Sequence, residues 1–257
     1  TGFAALAMRS FTHFIEAVLV GNIIRYINYG FYVIFPAVGF LLVYWVKKYI
    51  LRKEVSHGIP SILYAVAKQK GIMKRFHAYA SLLTAPITIG FGGSVGLEGP
   101  MVVTGAGISS YVARLFHINQ SDRMLLLACA CAAALAAIFK VPLAGILFAI
   151  EVFGLDLTLS SLLPLFIASL SGVLTSYMFF GNAALLPIQI NGSFLMRNLP
   201  FYLLLGGVGG IMSAYFTFVY EKINQFFSKL SSPYLRILIG GIVLGLLVFL
   251  MPPLYGE

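Results

Sequence analysis

One acidic side chain in this sequence has surroundings that point to chemistry. Glu98 lies between two glycines and two residues ahead of Pro100, and it is the only acidic residue between Glu54 and Asp122. A carboxylate isolated among apolar residues is a candidate for function when those residues lie in a membrane. Glu98 can act as a tethered anion that leaves its position when it is protonated or displaced. The alternative is a purely structural role as a helix cap.

Two glycine and proline segments, Gly58 to Pro60 and Gly96 to Pro100, each predict the start of a helix. Proline suits the first turn because its φ angle is fixed and its missing N–H would have no partner there. The other N–H groups of a first turn also lack helical partners, and they lie at the positive end of the helix dipole. Inside a membrane an anion is their natural ligand. The alternative is that the glycines only allow close helix packing.

The composition places these segments in a membrane. Of the 257 residues, 60% are hydrophobic and 10% are charged, and the mean hydropathy is +0.95. Soluble domains have about half apolar and a quarter charged residues. The apolar length suffices for roughly eight to ten membrane segments. Because too few polar residues remain for a soluble domain, nucleotide enzymes, secreted binding modules and disordered regulators are excluded.

The positive charge of the chain indicates membrane topology rather than nucleic-acid binding. The formal net charge is +9, and the basic residues cluster in short interruptions between apolar stretches. Cytoplasmic loops are enriched in Lys and Arg. The predicted cytoplasmic loops are 47–53, 68–75 and 222–236. The loops near Arg25, at 114–123 and near Arg197 are poorer in basic residues, and we expect them to face the outside.

The predicted fold class is an all-α, polytopic membrane protein with broken helices. No stretch sustains the alternation of apolar and polar residues that a strand requires. The apolar stretches are 3–20, 31–46, 78–91, 101–113, 124–138, 141–153, 159–180, 201–220 and 234–251. Several are too short to cross about 30 Å of hydrocarbon alone. Broken helices at membrane depth occur where the backbone lines a cavity or is buried in protein.

A faint internal repeat relates the two ends of the chain. Gly2, Phe11-Thr12 and Glu16 recur as Gly207, Phe216-Thr217 and Glu221. This pattern is typical of inverted-repeat transporters, whose sites lie at the repeat interface, and chance similarity between apolar helices is the alternative. We predict a first repeat over 1–198 and the first two helices of a second over 199–257. Because the chain starts at Thr1 and stops within the second repeat, we expect the natural protein to continue past Glu257.

These segments resemble the CLC family of chloride channels and chloride/proton antiporters. Gly96 to Pro100 is similar to the family's Gly-Lys/Arg-Glu-Gly-Pro segment, which carries the gating glutamate. His57 to Pro60 is similar to its Ser-Gly-Ile-Pro anion-binding turn. The stretch 132–151, AAALAAIFKVPLAGILFAIE, is similar to the family's Ala-rich stretch that ends in an Ile-Glu pair. The resemblance implies a CLC-type inverted-repeat architecture with Glu98 as the gate.

The resemblance also assigns the anion site and the assembly. The residues that it implies as anion-binding are His57, Gly58, Ile59, Pro60, Gly96, Leu97, Gly99 and Pro100. It implies a homodimer with a separate anion pathway in each subunit. We predict no cofactor, no metal site and no nucleic-acid partner.

Three positions depart from the family pattern. His57 replaces the usual serine, and its imidazole either donates a hydrogen bond that is sensitive to pH or faces the cytoplasmic vestibule without touching an ion. Val152 stands where proton-coupled members often carry a second glutamate, which favours passive conduction because valine carries no proton. We expect the preceding Glu151 to be a buried structural acid. Lys140 replaces an asparagine, and it either attracts anions or reaches the membrane interface.

The sequence therefore predicts transport of chloride or a similar small anion rather than enzymatic catalysis. The predicted mechanism is a passive channel that Glu98 gates and that low pH accelerates. A chloride/proton antiporter is the first alternative, and a non-conducting fragment or membrane subunit is the second. An intramembrane enzyme is disfavoured because only Glu98 and Glu151 are candidate acids at membrane depth. The predicted location is multi-pass in the bilayer of a bacterial inner membrane, with protons as a further candidate partner.

Overall fold

The chain is built from helices, as the composition predicts. The computed structural model describes residues 1–19, 33–52, 58–93, 95–181 and 196–251, and every regular element in these ranges is helical. The α-helices are α1 (Gly2–Val18), α2 (Phe35–Trp45), α3 (Ile59–Lys68), α4 (His77–Gly90), α5 (Glu98–Leu115), α6 (Gln120–Phe139), α7 (Pro142–Phe153), α8 (Leu159–Phe180), α9 (Leu199–Ser228) and α10 (Pro233–Leu250). A π-helical segment, Val46–Leu51, continues α2, and a 3₁₀ turn, Met196–Asn198, precedes α9.

Four of these helices are long and apolar enough to cross a membrane. They are α6, α8, α10 and the combined segment Met196–Ser228. The shorter apolar helices α3 and α7 span 10 and 12 residues, which at 1.5 Å per residue is less than the roughly 30 Å hydrocarbon core. The protein is an integral, multi-pass membrane protein, and two of its apolar helices are too short to cross the hydrocarbon core alone.

Two compact units make up the chain. One contains residues 1–186 and 241–257, and the other contains residues 187–240. Within the second unit, the Arg236 side chain donates to the carbonyl oxygens of Ser228 (3.2 Å) and Leu230 (2.7 Å) at the end of α9. This division does not test the predicted repeat boundary between residues 198 and 199, which stays a prediction.

Proline marks the start of many of these helices. Pro60 is the second residue of α3, Pro142 and Pro233 are the first residues of α7 and α10, and Pro100 is the third residue of α5. The prediction that Pro60 and Pro100 lie in a first turn is therefore confirmed. The physical reason is that these positions need no N–H donor within the helix.

The alanine-rich helix α6 is the centre of the larger unit. Ala132 and Ala133 on α6 are buried, and their carbonyl groups face Gly145 of α7 and Gly172 of α8. A Cβ atom on Gly145 would lie 3.2 Å from the Ala132 carbonyl carbon, and one on Gly172 would lie 3.0 Å from that of Ala133. Small residues let the backbones approach, which is how helices associate in a membrane.

The loop after α3 packs against the end of α5. The Ser110 hydroxyl, which is fully buried, donates to the Gly71 carbonyl oxygen (3.1 Å) and accepts from the Met73 N–H (2.8 Å). Arg123, at the start of α6, donates to the Lys70 carbonyl oxygen (3.3 Å). The loops 68–75 and 114–123 therefore lie on the same side of the membrane.

This contact corrects the predicted topology, which placed loop 114–123 opposite loop 68–75. The prediction counted basic residues in each loop separately. It was wrong because α4 leads away from loop 68–75 and α5, packed against α4, leads back to it, so the pair does not change sides as one full crossing would.

Ser110 gives a test of this packing. Replacing Ser110 with alanine leaves the buried Met73 N–H and Gly71 carbonyl without this partner, and we expect the free energy of unfolding to fall by about 2 kcal/mol. Ser109→Ala is the matched control, because the buried Ser109 hydroxyl has no hydrogen-bond partner among the described residues. Thermal unfolding of the purified variants in detergent measures both. Equal losses in the two variants would contradict the assigned role of Ser110.

Candidate functional site

The start of α5 exposes backbone N–H groups. The helix begins at Glu98, no side chain caps it, and its first hydrogen bond runs from the Met101 N–H to the Leu97 carbonyl oxygen (3.0 Å). The N–H groups of Leu97, Glu98 and Gly99 form no hydrogen bond with other described residues. A Cβ atom on Gly99 would meet nothing within 4 Å. The first turn therefore presents free donors beside open space.

The Glu98 carboxylate folds back over the segment that precedes its own helix. A Cβ atom on Gly96 would collide with Glu98 Oε2 and would lie 3.1 Å from Oε1. Glycine at position 96 is therefore what makes room for the carboxylate. Glu98 is partly buried and has no ion pair or hydrogen bond with the residues that the structure describes. Its charge stands at the positive end of the α5 dipole.

The start of α3 has a different geometry, but it also leaves a backbone N–H group without a partner among the described residues. Gly58 has a φ of +92°, a region that favours glycine, and Ile59 and Pro60 open the helix. The Ser61 N–H (3.1 Å) and the Ser61 hydroxyl (2.8 Å) both donate to the Gly58 carbonyl oxygen. No side chain among the described residues caps this helix, and the Ile59 N–H forms no hydrogen bond with them.

Helices α3 and α5 run in parallel, and their N-termini lie at the same end of the pair. Near their starts, Ile62 of α3 belongs to the same buried cluster as Val102 and Val103 of α5. Eight or nine residues later, Ser110 of α5 bonds to Gly71, just beyond the end of α3. The two helices meet near their starts in this cluster and near their ends through Ser110 and Gly71, so they point the same way. The two predicted segments, Gly58 to Pro60 and Gly96 to Pro100, are therefore brought to one end.

The other residues that the sequence analysis singled out are His57, Lys140, Glu151 and Val152. His57 lies outside the described residues. Val152 is partly buried at the end of α7, whereas Glu151 is exposed, so the expectation that Glu151 is buried was wrong. The helix turns Glu151 away from the α6 contact, which is made by smaller residues such as Gly145. The Lys140 ammonium donates to the Gly181 carbonyl oxygen (2.5 Å) and lies over the Tyr177 ring (4.7 Å).

Two side chains near the site were not predicted from the sequence. Ser61 closes the turn at Gly58 through its hydroxyl, and serine near a helix start is a signal that could have revealed it. Lys47 lines the same cavity as Gly96. The sequence placed Lys47 only in a basic loop cluster, and no local pattern links it to a segment about fifty residues away.

The arrangement can bind an anion and can bind or release a proton. Two helix starts supply N–H donors and partial positive charge, and one carboxylate supplies a competing negative charge. Within the described ranges, no group of His, Cys, Asp and Glu side chains has the spacing of a metal site.

Comparison of sequences finds relatives of the chain. A family model described as voltage gated chloride channel matches residues 38–257. The voltage-gated ClC-type chloride channel ClcB of Citrobacter koseri is 29% identical over 177 residues, which are 68% of this chain and 42% of that protein. The H(+)/Cl(-) exchange transporter ClcA of Klebsiella pneumoniae is 32% identical over 173 residues, which are 65% of this chain and 37% of that protein. The chain spans less than half the length of these two relatives.

Solved structures share the fold. A CLC-type fluoride/proton antiporter superposes with a TM-score of 0.73 at 22% identity, covering 98% of this chain and 63% of that one. A slow cyanobacterial Cl⁻/H⁺ antiporter superposes with a TM-score of 0.75 at 20% identity, covering 96% and 60%. These likenesses confirm the predicted CLC-type helical fold. The family model matches residues 38–257, which are most of this chain. Together with the shared fold, this match identifies the chain as a member of the voltage-gated chloride channel (CLC) family.

Proposed function

We propose that the protein transports chloride or a similar small anion across the membrane, at a site formed by the starts of α3 and α5. The observation that carries this proposal is the parallel packing of the two helices, which brings two uncapped N-termini to one end. Membership in the CLC family supports it, since the relatives named above are a chloride channel and a chloride exchanger.

The chemistry of the site favours anions over cations. Each helix start carries about half of an elementary positive charge, and hydrogen bonds from N–H groups to an anion are stronger than those to a neutral acceptor. Gly58 and Gly99 have no side chains to keep an ion from the backbone. Backbone donors release an anion more readily than a fixed lysine at the same place would, and transport requires release.

Glu98 is proposed as the gate of this site. Its carboxylate lies over Gly96 at the start of α5, where it competes with an anion for the same N–H groups. Protonation removes the charge and with it the attraction to the helix start. Loss of that attraction frees the position for an anion, so anion movement is expected to be faster at low pH.

Exchange of the anion for protons is the mechanism that we favour. Glu98 binds a proton when its carboxylate moves away from the start of α5 and releases it when it returns, which links proton and anion occupancy at one position. The exchange transporter from Klebsiella pneumoniae, the more identical of the two relatives cited, supports this mechanism.

Passive conduction is the second candidate. Val152 favours it, because the residue directly after Glu151 carries no carboxylate that could relay protons. The channel named ClcB is also a relative of this chain. Both candidates use the same anion site and the same gate, and they differ only in whether protons cross with the anion.

Proton movement driven by a chloride gradient separates these candidates. Liposomes that hold the full-length protein and a chloride gradient are placed in a weakly buffered solution, and the external pH is recorded. For an exchanger we expect protons to move against their own gradient, in the direction opposite to chloride, until a proton ionophore collapses the gradient. Chloride movement with no proton movement would overturn exchange and support the passive channel.

The assembly and location are also proposals. Both cited relatives are bacterial, which supports placement in a bacterial inner membrane. A homodimer with one anion pathway per subunit follows from the family resemblance. Exposed apolar side chains along α8, such as Leu159, Leu163 and Ile167, give a surface that suits either lipid or a second subunit.

A further inference from the structure

Two basic side chains, Arg9 of α1 and Lys140 after α6, lie together at the end of α8. The Lys140 ammonium lies over the Tyr177 ring and the Arg9 guanidinium over the Phe180 ring, each at 4.7 Å from the ring centre. Tyr177 and Phe180 are three residues apart on the last turn of α8, so they are neighbours on one face of the helix. The two cations are close enough to repel each other. Arg9 and Lys140 are called the cation pair below.

The cation pair lies at one surface of the membrane. Ala133 of α6 faces Gly172 of α8. Further along both helices, Lys140 donates to the Gly181 carbonyl oxygen, so α6 and α8 run in the same direction. Both are long enough to cross the membrane, and α6 begins just after loop 114–123. The cation pair is therefore at the surface opposite that loop.

No carboxylate among the described residues neutralises the cation pair. Neither side chain forms an ion pair there, and the segment 182–195 that follows α8 contains no Asp or Glu. Arg9 forms no hydrogen bond with the described residues, and its Nε atom is buried. Buried donors nearly always have a partner. The Arg9 guanidinium therefore has unmet donors that an anion can satisfy.

The remaining charge at this place indicates a singly charged anion. The C-terminal ends of α6 and α8 each carry about half of an elementary negative charge. Lys140 directly follows the end of α6, and its ammonium bonds to a carbonyl oxygen at the end of α8. The two helix ends together offset about one of the two positive charges, which leaves about +1. A phosphate diester carries one negative charge, and a guanidinium group can bind two of its oxygens at once.

The surroundings of the cation pair favour a lipid over a soluble phosphate. Helix α1 begins beside Gly105 in the middle of α5 and reaches the cation pair at Arg9, so Phe3 lies nearer the membrane core than Arg9 does. Phe3 is 68% exposed, and its ring meets the exposed Phe179 ring edge-on, with 5.3 Å between the ring centres. These rings offer acyl chains an apolar surface on the core side of the two cations.

We infer that Arg9 and Lys140 bind the phosphate diester of an anionic phospholipid, whose acyl chains lie along Phe3 and Phe179. Basic pockets between transmembrane helices can bind anionic headgroups. A zwitterionic lipid fits less well, because its own ammonium group offsets the phosphate charge. The inference does not depend on the proposed anion pathway. Because the cation pair joins α1 to the ends of α6 and α8, the bound lipid links these three helices.

The test is phospholipid binding to the purified, delipidated full-length protein in detergent, measured by native mass spectrometry. The two probes are phosphatidylglycerol, which is anionic, and phosphatidylcholine with the same acyl chains. We expect the wild-type protein to bind phosphatidylglycerol about tenfold more tightly. Arg9→Gln and Lys140→Asn should each lose about that factor, because one charged hydrogen bond is lost. Asparagine suits position 140 because it tolerates the left-handed backbone there (φ +58°).

Lys222→Asn is the matched control, since Lys222 is an exposed lysine that also lies over an aromatic ring, that of Phe218 at 5.5 Å, and is not part of the cation pair. It should bind both lipids as the wild-type protein does. Equal binding of the two lipids by the wild-type protein would overturn the inference, and so would an equal loss in Lys222→Asn. If Arg9→Gln does not fold, Lys140→Asn and Arg9→Lys carry the test, and Arg9→Lys should retain most of the binding.

Sodium phosphate in the same titration distinguishes a lipid from a soluble ion. We expect phosphate at the concentration of the lipid to leave phosphatidylglycerol binding unchanged, because it has no acyl chains to lie along the exposed rings. Displacement of the lipid by phosphate would assign the cation pair to a soluble ion and overturn the lipid site. A wild-type protein that moves no chloride leaves each of these outcomes unchanged, so failure of the proposed function is recognised separately.

Discussion

Replacing Glu98 with glutamine is expected to uncouple anion movement from protons and from pH. In liposomes with the full-length protein, the proton flux driven by chloride should fall by about a hundredfold, since proton transfer by a positioned side chain contributes that order of magnitude. Chloride flux should persist, because the N–H groups at the starts of α3 and α5 are intact. Its rate should be nearly the same at pH 5 and pH 7.

The physical reason lies in the single charge at this site. Glutamine has nearly the shape of glutamate, so it fits over Gly96, but it carries neither a negative charge nor an exchangeable acidic proton. The amide therefore competes poorly with an anion for the free N–H groups. Because no other carboxylate lies in the segment, nothing replaces the lost proton carrier.

Glu151→Gln is the matched control for this experiment. Glu151 is exposed at the end of α7, and the proposal gives it no part in the gate. This variant should keep the pH dependence and the proton flux of the wild-type protein. If Glu98→Gln retained the wild-type pH dependence, or if Glu151→Gln lost it, the gate would not be Glu98.

Replacing Gly145 with valine is expected to have the largest effect on stability. A Cβ atom at this position would collide with the Ala132 carbonyl oxygen of α6 and lie 3.2 Å from Ala136 Cβ. Backbone atoms of a packed helix cannot move aside as a flexible side chain can. Overpacking of this kind lowers the free energy of unfolding by about 3 kcal/mol. Thermal unfolding in detergent and the yield of monodisperse protein measure the loss.

Leu147→Val is the control, because it places the same β-branched residue in the same helix at a side chain that is 65% exposed. It should change the unfolding temperature little. Comparable losses in the two variants would mean that valine disturbs α7 itself, and the close contact between α6 and α7 would not be the cause.

The helix starts that form the site were predictable because their chemistry is local. Pro60 and Pro100 restrict their own backbone, and Gly58 supplies a φ that other residues rarely adopt. Composition in turn predicts the membrane environment. Inside a membrane the backbone N–H and C=O groups must form their hydrogen bonds within the protein, which favours helices. The family-like segments then pointed to the same two places, and the structure brings them to one end.

The remaining features depend on packing between distant segments, which local patterns do not encode. The side of loop 114–123 was predicted wrongly because it depends on how Ser110 and Arg123 meet residues 70–73. Glu151 was expected to be a buried structural acid but is exposed, because exposure depends on the rotation of α7 against α6. Lys47 reaches the cavity beside Gly96 only through the packing of α2 against α4.

The most direct test of the central claim is chloride release from liposomes that hold the purified full-length protein. An ionophore for potassium, with a proton ionophore present, dissipates the membrane voltage and lets chloride leave through the protein. We expect release that rises in proportion to the amount of protein and that is absent from protein-free vesicles. Release no faster than from empty vesicles, with a protein that is monodisperse and folded, would contradict anion transport and support the non-conducting membrane subunit.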